Sequence, residues 1–268
     1  MTQAGRREAW ALVPARGGSK SIPYKNLVPL AGQPLLDYGI RATLASDRCA
    51  RIVGSTEDEK IAARFAALGI ECDRRPPSLA GDDTAVADVA REWLLRLRAG
   101  GEHLPEVLVL VQPTSPFLLP RHVGILIDAM AADPAARSGQ TVVGCPHNAH
   151  AWNQRAFENG RVCFVYAEER RRGYNKQAKP KHWLFGNLVA ARVDALLDGE
   201  GFFAEPSAAV EIERPYDFDL DTAADVAIAE ALIAGGVVRL PHMNSNVSDS
   251  RGAAARVETF SAAMPETK

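Results

Sequence analysis

The sequence predicts an α/β protein: a mostly parallel sheet flanked by helices. Short apolar runs of strand length alternate with longer stretches of helical period, the pattern of successive β-α units. One run, residues 106–112 (EVLVLVQ), is almost continuously apolar and branched, as a central strand covered on both faces should be. At 268 residues, 47% hydrophobic and 24% charged, the chain has globular composition and is long enough to bury a sizeable core.

Residues 9–14 (AWALVP) read as the first strand, closed by a proline and a Gly-Gly pair, and 51–55 as the second. Ile61, Phe65 and Leu68 keep helical spacing up to Gly69, where a helix should stop, and a short strand follows at 70–73. Thr84 opens an amphipathic helix with Val86, Val89, Trp93, Leu94 and Leu97 on one face, ended by Gly100-Gly101, which makes Trp93 a core residue. The central strand at 106–112 runs into Gln112-Pro113-Thr114-Ser115-Pro116. A helix at about 121–132 and a strand at 141–145 continue the alternation. His147 to His182 is richer in Asn, Arg, Lys and aromatics and reads as an inserted lobe or arm. A strand at 187–191 and helices near 193–197 and 222–234 resume the pattern, and most of 237–268 lacks period and reads as a mobile tail.

Lys plus Arg number 31 against 33 Asp plus Glu, a net charge of −2, which removes the bulk drive toward nucleic acid or anionic membrane. The basic stretch from Arg170 to Lys181 is too short to change that and reads as a local feature. Cys49, Cys72, Cys145 and Cys163 show no C-x-x-C spacing, so reduced and mostly buried thiols are expected. Met1 to Trp10 has no apolar signal region and no apolar run approaches 18 residues, so the expected location is the cytoplasm. His147 and His150 form one H-x-x-H with no further spaced ligands, a poor metal signal.

In an open α/β sheet the ligand crevice lies beyond the carboxyl ends of the strands. The loop there runs from Pro14 to Asn26, with adjacent Gly17 and Gly18 to aim backbone N–H groups and Arg16, Lys20 and Lys25 to add positive charge. It suits a polyphosphate, although it is neither a Walker A loop nor a G-x-G-x-x-G fingerprint, and a solvated basic turn is the plain alternative. Near the far end, Asp217, Asp219 and Asp221 alternate with Phe218 and Leu220. On a strand this places three carboxylates on one face about 7 Å apart, a repulsion that a divalent cation relieves. The alternative is an acidic turn before a helix, with Thr222 and Asp225 forming a capping box.

Leu12-Val13-Pro14-Ala15-Arg16-Gly17-Gly18-Ser19-Lys20, then Pro23 and Lys25-Asn26, closely resembles the P-A-R-x-G-S-K-x-(I/L)-P-x-K-N signature of the acylneuraminate cytidylyltransferase family, the CMP-sialic acid synthetases and their relatives for legionaminic and pseudaminic acids. Arg75-Pro76 with Leu79-Ala80-Gly81-Asp82 resembles its R-P-x-x-L-A-x-D, and Gln112 to Pro116 its Q-P-T-S-P. Asp219-Leu220-Asp221 with Asp225 and Ala229-Glu230 resembles its D-I-D-x-x-x-D-x-x-x-A-E. The resemblance spans residues 9–234 in order.

It implies a Rossmann-like nucleotidyltransferase fold over residues 8–236, with a dimerisation arm at about 147–186, and transfer of CMP from CTP to an acidic acceptor with release of pyrophosphate. Carried over by position, Ala15, Arg16, Gly17, Gly18, Ser19, Lys20, Lys25 and Asn26 would meet the triphosphate and ribose. Arg75, Asp82 and Gln112 would help read the nucleoside, and Asp219 and Asp221 would hold Mg2+. Arg16, Lys25 and Asp219 are then the catalytic candidates. Gln112, Lys176, Gln177 and Lys179 would meet the acceptor. The implied assembly is a homodimer, with no nucleic acid or membrane partner. Where the family keeps R-Q-x-x-P and an N-G pair, this chain has Lys176-Gln177-Ala178-Lys179-Pro180 and Gly186-Asn187 in inverted order. Lysine supplies charge without a bidentate fork, so a phosphonate or another small acidic metabolite stands beside a nine-carbon sugar acid as acceptor. A nucleotide-binding module without turnover is the further rival, disfavoured because a pure binder needs no metal-holding pair.

Overall fold

A computed structural model describes residues 9–81, 83–173 and 179–244. Eleven strands appear among them: β1 (Ala9–Pro14), β2 (Pro29–Leu30), β3 (Gln33–Pro34), β4 (Arg51–Thr56), β5 (Glu71–Arg74), β6 (Val107–Leu110), β7 (Ser138–Gly144), β8 (Arg155–Glu158), β9 (Arg161–Phe164), β10 (Trp183–Arg192) and β11 (Ser207–Glu211). The helices are α1 (Leu35–Ser46), α2 (Glu59–Ala67), α3 (Val86–Ala99), α4 (Pro120–Ala132), α5 (Ala167–Arg172), α6 (Val193–Leu197) and α7 (Ala223–Ala234). Seven strands form one sheet in the order β11-β7-β10-β6-β1-β4-β5, parallel except for β10, which runs against both neighbours.

The period of two along β1 builds both faces of the sheet. Ala9, Ala11 and Val13 join the layer containing Leu36, Ile40, Phe65 and Leu126 from α1, α2 and α4. Leu12 turns to the opposite layer, where Trp93 and Leu94 of α3 and Leu196 of α6 pack against Val53, Leu108 and Leu110. Trp93 is thus core, as its spacing predicts. Asp58 caps α2 by accepting from the Lys60 and Ile61 N–H groups at 2.8 and 3.0 Å.

Two elements escape the periodicity of the sequence. Helix α1 is buried over eight of its twelve residues, so it has no polar stripe to reveal it. Its Asp37 lies fully buried and accepts a bidentate pair from Arg64, which locks α1 to α2. Strand β11 is Ser-Ala-Ala-Val-Glu, with little strand propensity of its own, and forms by pairing with β7. The arm is a β8–β9 hairpin followed by the short α5. Residues 237–244, assigned from sequence to the tail, pack: Val238, Leu240 and Met243 join a third cluster with Leu30, Tyr38 and Leu220. The expectation of mostly buried thiols also fails, since Cys163 is exposed and the other three are half-buried.

A buried polar hub ties the sheet to the segment that carries the acidic pair. Asn187 on β10 donates to the Tyr216 carbonyl at 2.8 Å and to Nδ1 of His122 at 3.0 Å. Thr141 on β7 accepts from the Asn187 N–H at 2.9 Å. His122 is fully buried, and desolvation, aided by Arg121, pushes it down to about 4; burial does the same to His242. Both are neutral in the folded chain, whereas the unfolded chain binds protons near the ordinary histidine value, about 6.5. Their contribution is present above that value and is lost as pH falls from about 6.5 toward 4. Denaturant melts should show this. Between about pH 7.5 and about pH 5, His122→Gln should shrink the loss of stability by about 2 kcal/mol. A loss as large as that of the unaltered chain would contradict the assignment of a neutral, buried His122.

Candidate active site

The chain leaves β1 at the carboxyl edge of the sheet, between β4 and β6, and there the loop from Pro14 to Asn26 borders a cleft of about 450 Å³. Arg16, Lys20, Lys25, Arg75, Gln112 and Thr114 are among its lining residues. Local chemistry sets the loop. Ala15 N–H donates to the Ser55 carbonyl at 3.0 Å, and Asn26, buried, donates through Nδ2 to the Arg16 carbonyl at 2.9 Å, closing the loop on itself. Tyr24 takes a left-handed conformation at φ 51° and starts the single 3-10 turn Lys25–Leu27 that brings Lys25 and Asn26 inward.

The two adjacent glycines differ. Nothing lies within 4 Å of where a Cβ would sit on Gly18, which is exposed, whereas a Cβ on Gly17 would meet Asp58 Oδ2 at 2.7 Å. The Gly17 N–H donates to Glu57 Oε1 at 2.7 Å, so this amide already has a carboxylate partner. The other Glu57 oxygen lies 3.8 Å from Arg75 Nε. Arg75 is 8% exposed and donates to the Ser55 carbonyl at 2.6 Å; burial lowers its pKa, while Glu57 and Asp73 pull it up. Glu57 carries no motif signal; only its place at the end of β4, beside the expected crevice, could have pointed to it.

The acidic segment corrects the strand expected at 217–221. Residues 214–217 form a turn and 218–221 follow as irregular backbone, in which Leu220 N–H donates to the Thr114 carbonyl at 2.8 Å. Arg214-Pro215 opens this turn, and Pro215 has no N–H to give a sheet ladder. The alternation still operates through packing: Leu220 is fully buried, Phe218 lies against Phe117 with ring centroids 5.2 Å apart, and Asp219 and Asp221 remain at the surface. Three carboxylates do not share one face. Asp217 pairs with Arg214 at 2.9 Å, and Asp225 accepts from the N–H groups of Asp221 and Thr222 to start α7. The capping reading therefore holds for Asp225.

Lys25 joins the loop to this segment, its Nζ donating to the Leu220 carbonyl and to Asp221 Oδ1, each at 3.1 Å. Crowding by neighbouring atoms raises the Asp219 carboxyl, Asp221 and Asp225 add to the rise, and Thr114 and Lys25 oppose it. Two carboxylates one residue apart, one of them raised above its ordinary value by desolvation and then by its acidic neighbours, fit a divalent cation that takes one or two carboxylates and completes its shell with phosphate oxygens and water. Among the described residues no group of three His, Cys, Asp or Glu side chains could hold a metal without such help. His150 is engaged otherwise, donating from Nε2 to the Pro180 carbonyl at 3.1 Å and accepting the Trp152 N–H at Nδ1. Of the remaining sequence-assigned residues, Ser19 lines the cleft and Lys179 sits in the arm, while Asp82, Lys176 and Gln177 lie outside the described residues.

An open α/β sheet with a basic, glycine-bearing loop and an acidic pair at its carboxyl edge defines a protein of the Rossmann-like nucleotidyltransferase fold. Within that class the chain belongs to the cytidylyltransferase family, whose model matches residues 10–158, more than half of the chain. It is 28% identical over 227 residues to the CMP-N,N'-diacetyllegionaminic acid synthase of Legionella pneumophila, covering 83% of this chain and 95% of that protein. It is 32% identical over 157 residues to the N-acylneuraminate cytidylyltransferase A of Danio rerio, a match covering 59% of this chain and only 34% of that longer protein. A solved CMP:2-keto-3-deoxy-manno-octonic acid synthetase complexed with CTP superposes with a TM-score of 0.65 at 18% identity, covering 85% of this chain and 99% of that one, and shares the fold.

Gly17→Ala tests the packing of the loop. The added Cβ must displace the Asp58 side chain that caps α2, and losing such a cap costs about 1 kcal/mol, within a range of about 0.5–2. A thermal melt lower by about 2–4 °C is expected. An unchanged melt would show that the loop and Asp58 do not touch in solution.

Proposed function

We propose that this chain transfers CMP from CTP to a hydroxyl of an acidic acceptor, releases pyrophosphate, and depends on magnesium held by Asp219 and Asp221. The observation that carries this reading is the bridge from Lys25 to Leu220 and Asp221, which joins the cationic loop lining the cleft to the acidic segment beside it. Family membership and the named product of the Legionella relative support it.

Transfer of a phosphoryl-type group needs alignment and charge neutralisation more than covalent help. Arg16, Lys20 and the open Gly18 backbone receive the triphosphate, and Asn26 keeps the Arg16 carbonyl fixed so that the loop need not reorganise. Arg75, Leu79 and Gly81 face the nucleoside, with Gln112 also lining the cleft. Magnesium bound at Asp219 and Asp221 would supply charge neutralisation at the phosphates. Lys25 meanwhile orients Asp221, and the acceptor hydroxyl loses its proton to a base at this acidic edge, a role this reading gives to Asp219 or to a hydroxide on the metal.

The arm supports a homodimer: Phe157, Val162 and Val165 stand 75%, 60% and 54% exposed on or beside the β8–β9 hairpin, an apolar surface that a second copy would cover. Among the described residues no helix is long and apolar enough to cross a membrane.

Pyrophosphate release with different nucleotides, against a panel of ulosonic acids and phosphonates, tests this function. CTP should exceed UTP at least tenfold in kcat/KM, because a mismatched buried polar edge costs about 1–3 kcal/mol; equal use of UTP would overturn the assignment. Asp219→Asn should lower kcat at least about a hundredfold while the chain stays folded, since several kcal/mol of transition-state stabilisation leave with the charge. Near-normal turnover at limiting magnesium would remove Asp219 from the metal site.

A further inference from the structure

One carboxylate serves two elements of the cleft without lining it. Glu57 directly follows β4, and its Oε1 accepts from the Gly17 N–H of the phosphate loop at 2.7 Å. Its Oε2 lies 3.8 Å from Nε of Arg75, and both of these atoms are buried with no hydrogen-bond partner of their own. Arg16, Gly18 and Arg75 line the cleft, whereas Gly17 and Glu57 are not among its described lining residues. The carboxylate therefore stands behind the wall that a nucleotide would touch, and its second oxygen faces Arg75.

Arg75 needs such a neighbour. It is buried, and its Nη2 donates to the Ser55 carbonyl, a neutral acceptor that the Ala15 N–H also uses. Neutral acceptors alone do not compensate a guanidinium brought out of water. Burial pushes the Arg75 pKa down, while Glu57 and then Asp73 pull it up, so the two carboxylates keep it charged. Asp73 is engaged elsewhere, accepting from Arg96 at 2.8 Å and from the Ser55 hydroxyl at 3.2 Å. Among the described residues Glu57 is the one carboxylate in ion-pair contact with Arg75.

We propose that Glu57 is a positioning residue for the nucleoside: the Gly17 amide fixes its carboxylate, and the carboxylate holds the charged Arg75 guanidinium at the nucleoside side of the cleft. This deepens the reading of the cleft as a CTP site and rests on it. The contact also ties the place of Arg75 to that of the phosphate loop, so triphosphate and nucleoside meet groups already set in register. Electrostatics alone forecasts the opposite effect, since removing a negative charge beside a triphosphate site should tighten binding. The two ideas differ in sign.

Glu57→Gln separates them. The Gly17 N–H needs an acceptor, so the glutamine carbonyl takes that place and its NH2 group, a donor, turns to the guanidinium, which is also a donor. Calorimetry on the full chain should show CTP bound about tenfold more weakly, while inorganic tripolyphosphate, which reaches the loop but not Arg75, stays within about twofold of the unaltered chain. Tighter or unchanged CTP binding, or an equal loss for both ligands, would overturn the proposal.

A second arm compares Arg75→Met with and without Glu57→Gln. Removing both charges leaves no unpaired ion in the interior, so the double variant stays open to measurement should Glu57→Gln alone not fold. With Arg75 gone, the added Glu57→Gln change should alter CTP binding by less than about twofold. A larger further loss would show that Glu57 acts by another route and would overturn its role toward Arg75. This arm also decides the matter if tripolyphosphate fails to bind. CTP binding by the unaltered chain is measured first; its absence would overturn the nucleotide reading and this proposal with it, whereas intact CTP binding that the variants leave unchanged would overturn the role of Glu57 alone.

Discussion

The arrangement of this protein turns on one side chain. Lys25 Nζ reaches the Leu220 carbonyl, 195 residues away in the chain, and the adjacent Asp221 carboxylate. As an ion pair this contact is weak, because Asp221 is 70% exposed and such pairs are worth about 1 kcal/mol at most. Its importance is geometric. It fixes the distance between a loop that carries three cations and a segment that carries two carboxylates, and neither set could act on a nucleoside triphosphate from its own end of the chain.

Each partner in that contact is prepared by packing from beneath. Lys25 sits on a 3-10 turn started by a left-handed Tyr24 and backed by buried Asn26. The acidic segment is held by buried Leu220, by Phe218 on Phe117, and by the Asn187 bond to the Tyr216 carbonyl. Apolar and neutral polar groups therefore absorb the cost of placing like charges close together, which the carboxylates could not do for themselves. The same logic appears in the loop, where the Glu57 carboxylate accepts from the Gly17 amide and lies 3.8 Å from Arg75.

Much of this was legible in the sequence. The apolar runs of β1, β4 and β6 and the amphipathic α3 give the α/β class directly, and the loop's glycines and lysines mark a candidate anion site. Helix α1 was hidden because burial on nearly all sides erased its period, and β11 because its alanines carry no strand signal of their own. The acidic segment was read correctly in its alternation but not in its backbone: side chains at 218 and 220 turn inward by packing against Phe117 and its neighbours, without a ladder to hold them. Glu57 was invisible for a different reason. Its role comes from what folding places opposite it, and no local pattern records that.

A crystal structure of the CTP complex is the decisive test. The triphosphate is expected on the Gly18 side of the loop, within hydrogen-bonding distance of Arg16 and Lys20, with the α-phosphate toward Asp219 and the base against Leu79 and Arg75, and with Lys25 still bonded to Leu220. Nucleotide bound outside the cleft between β1 and β6, or a bound state in which the loop and the acidic segment have separated, would contradict it.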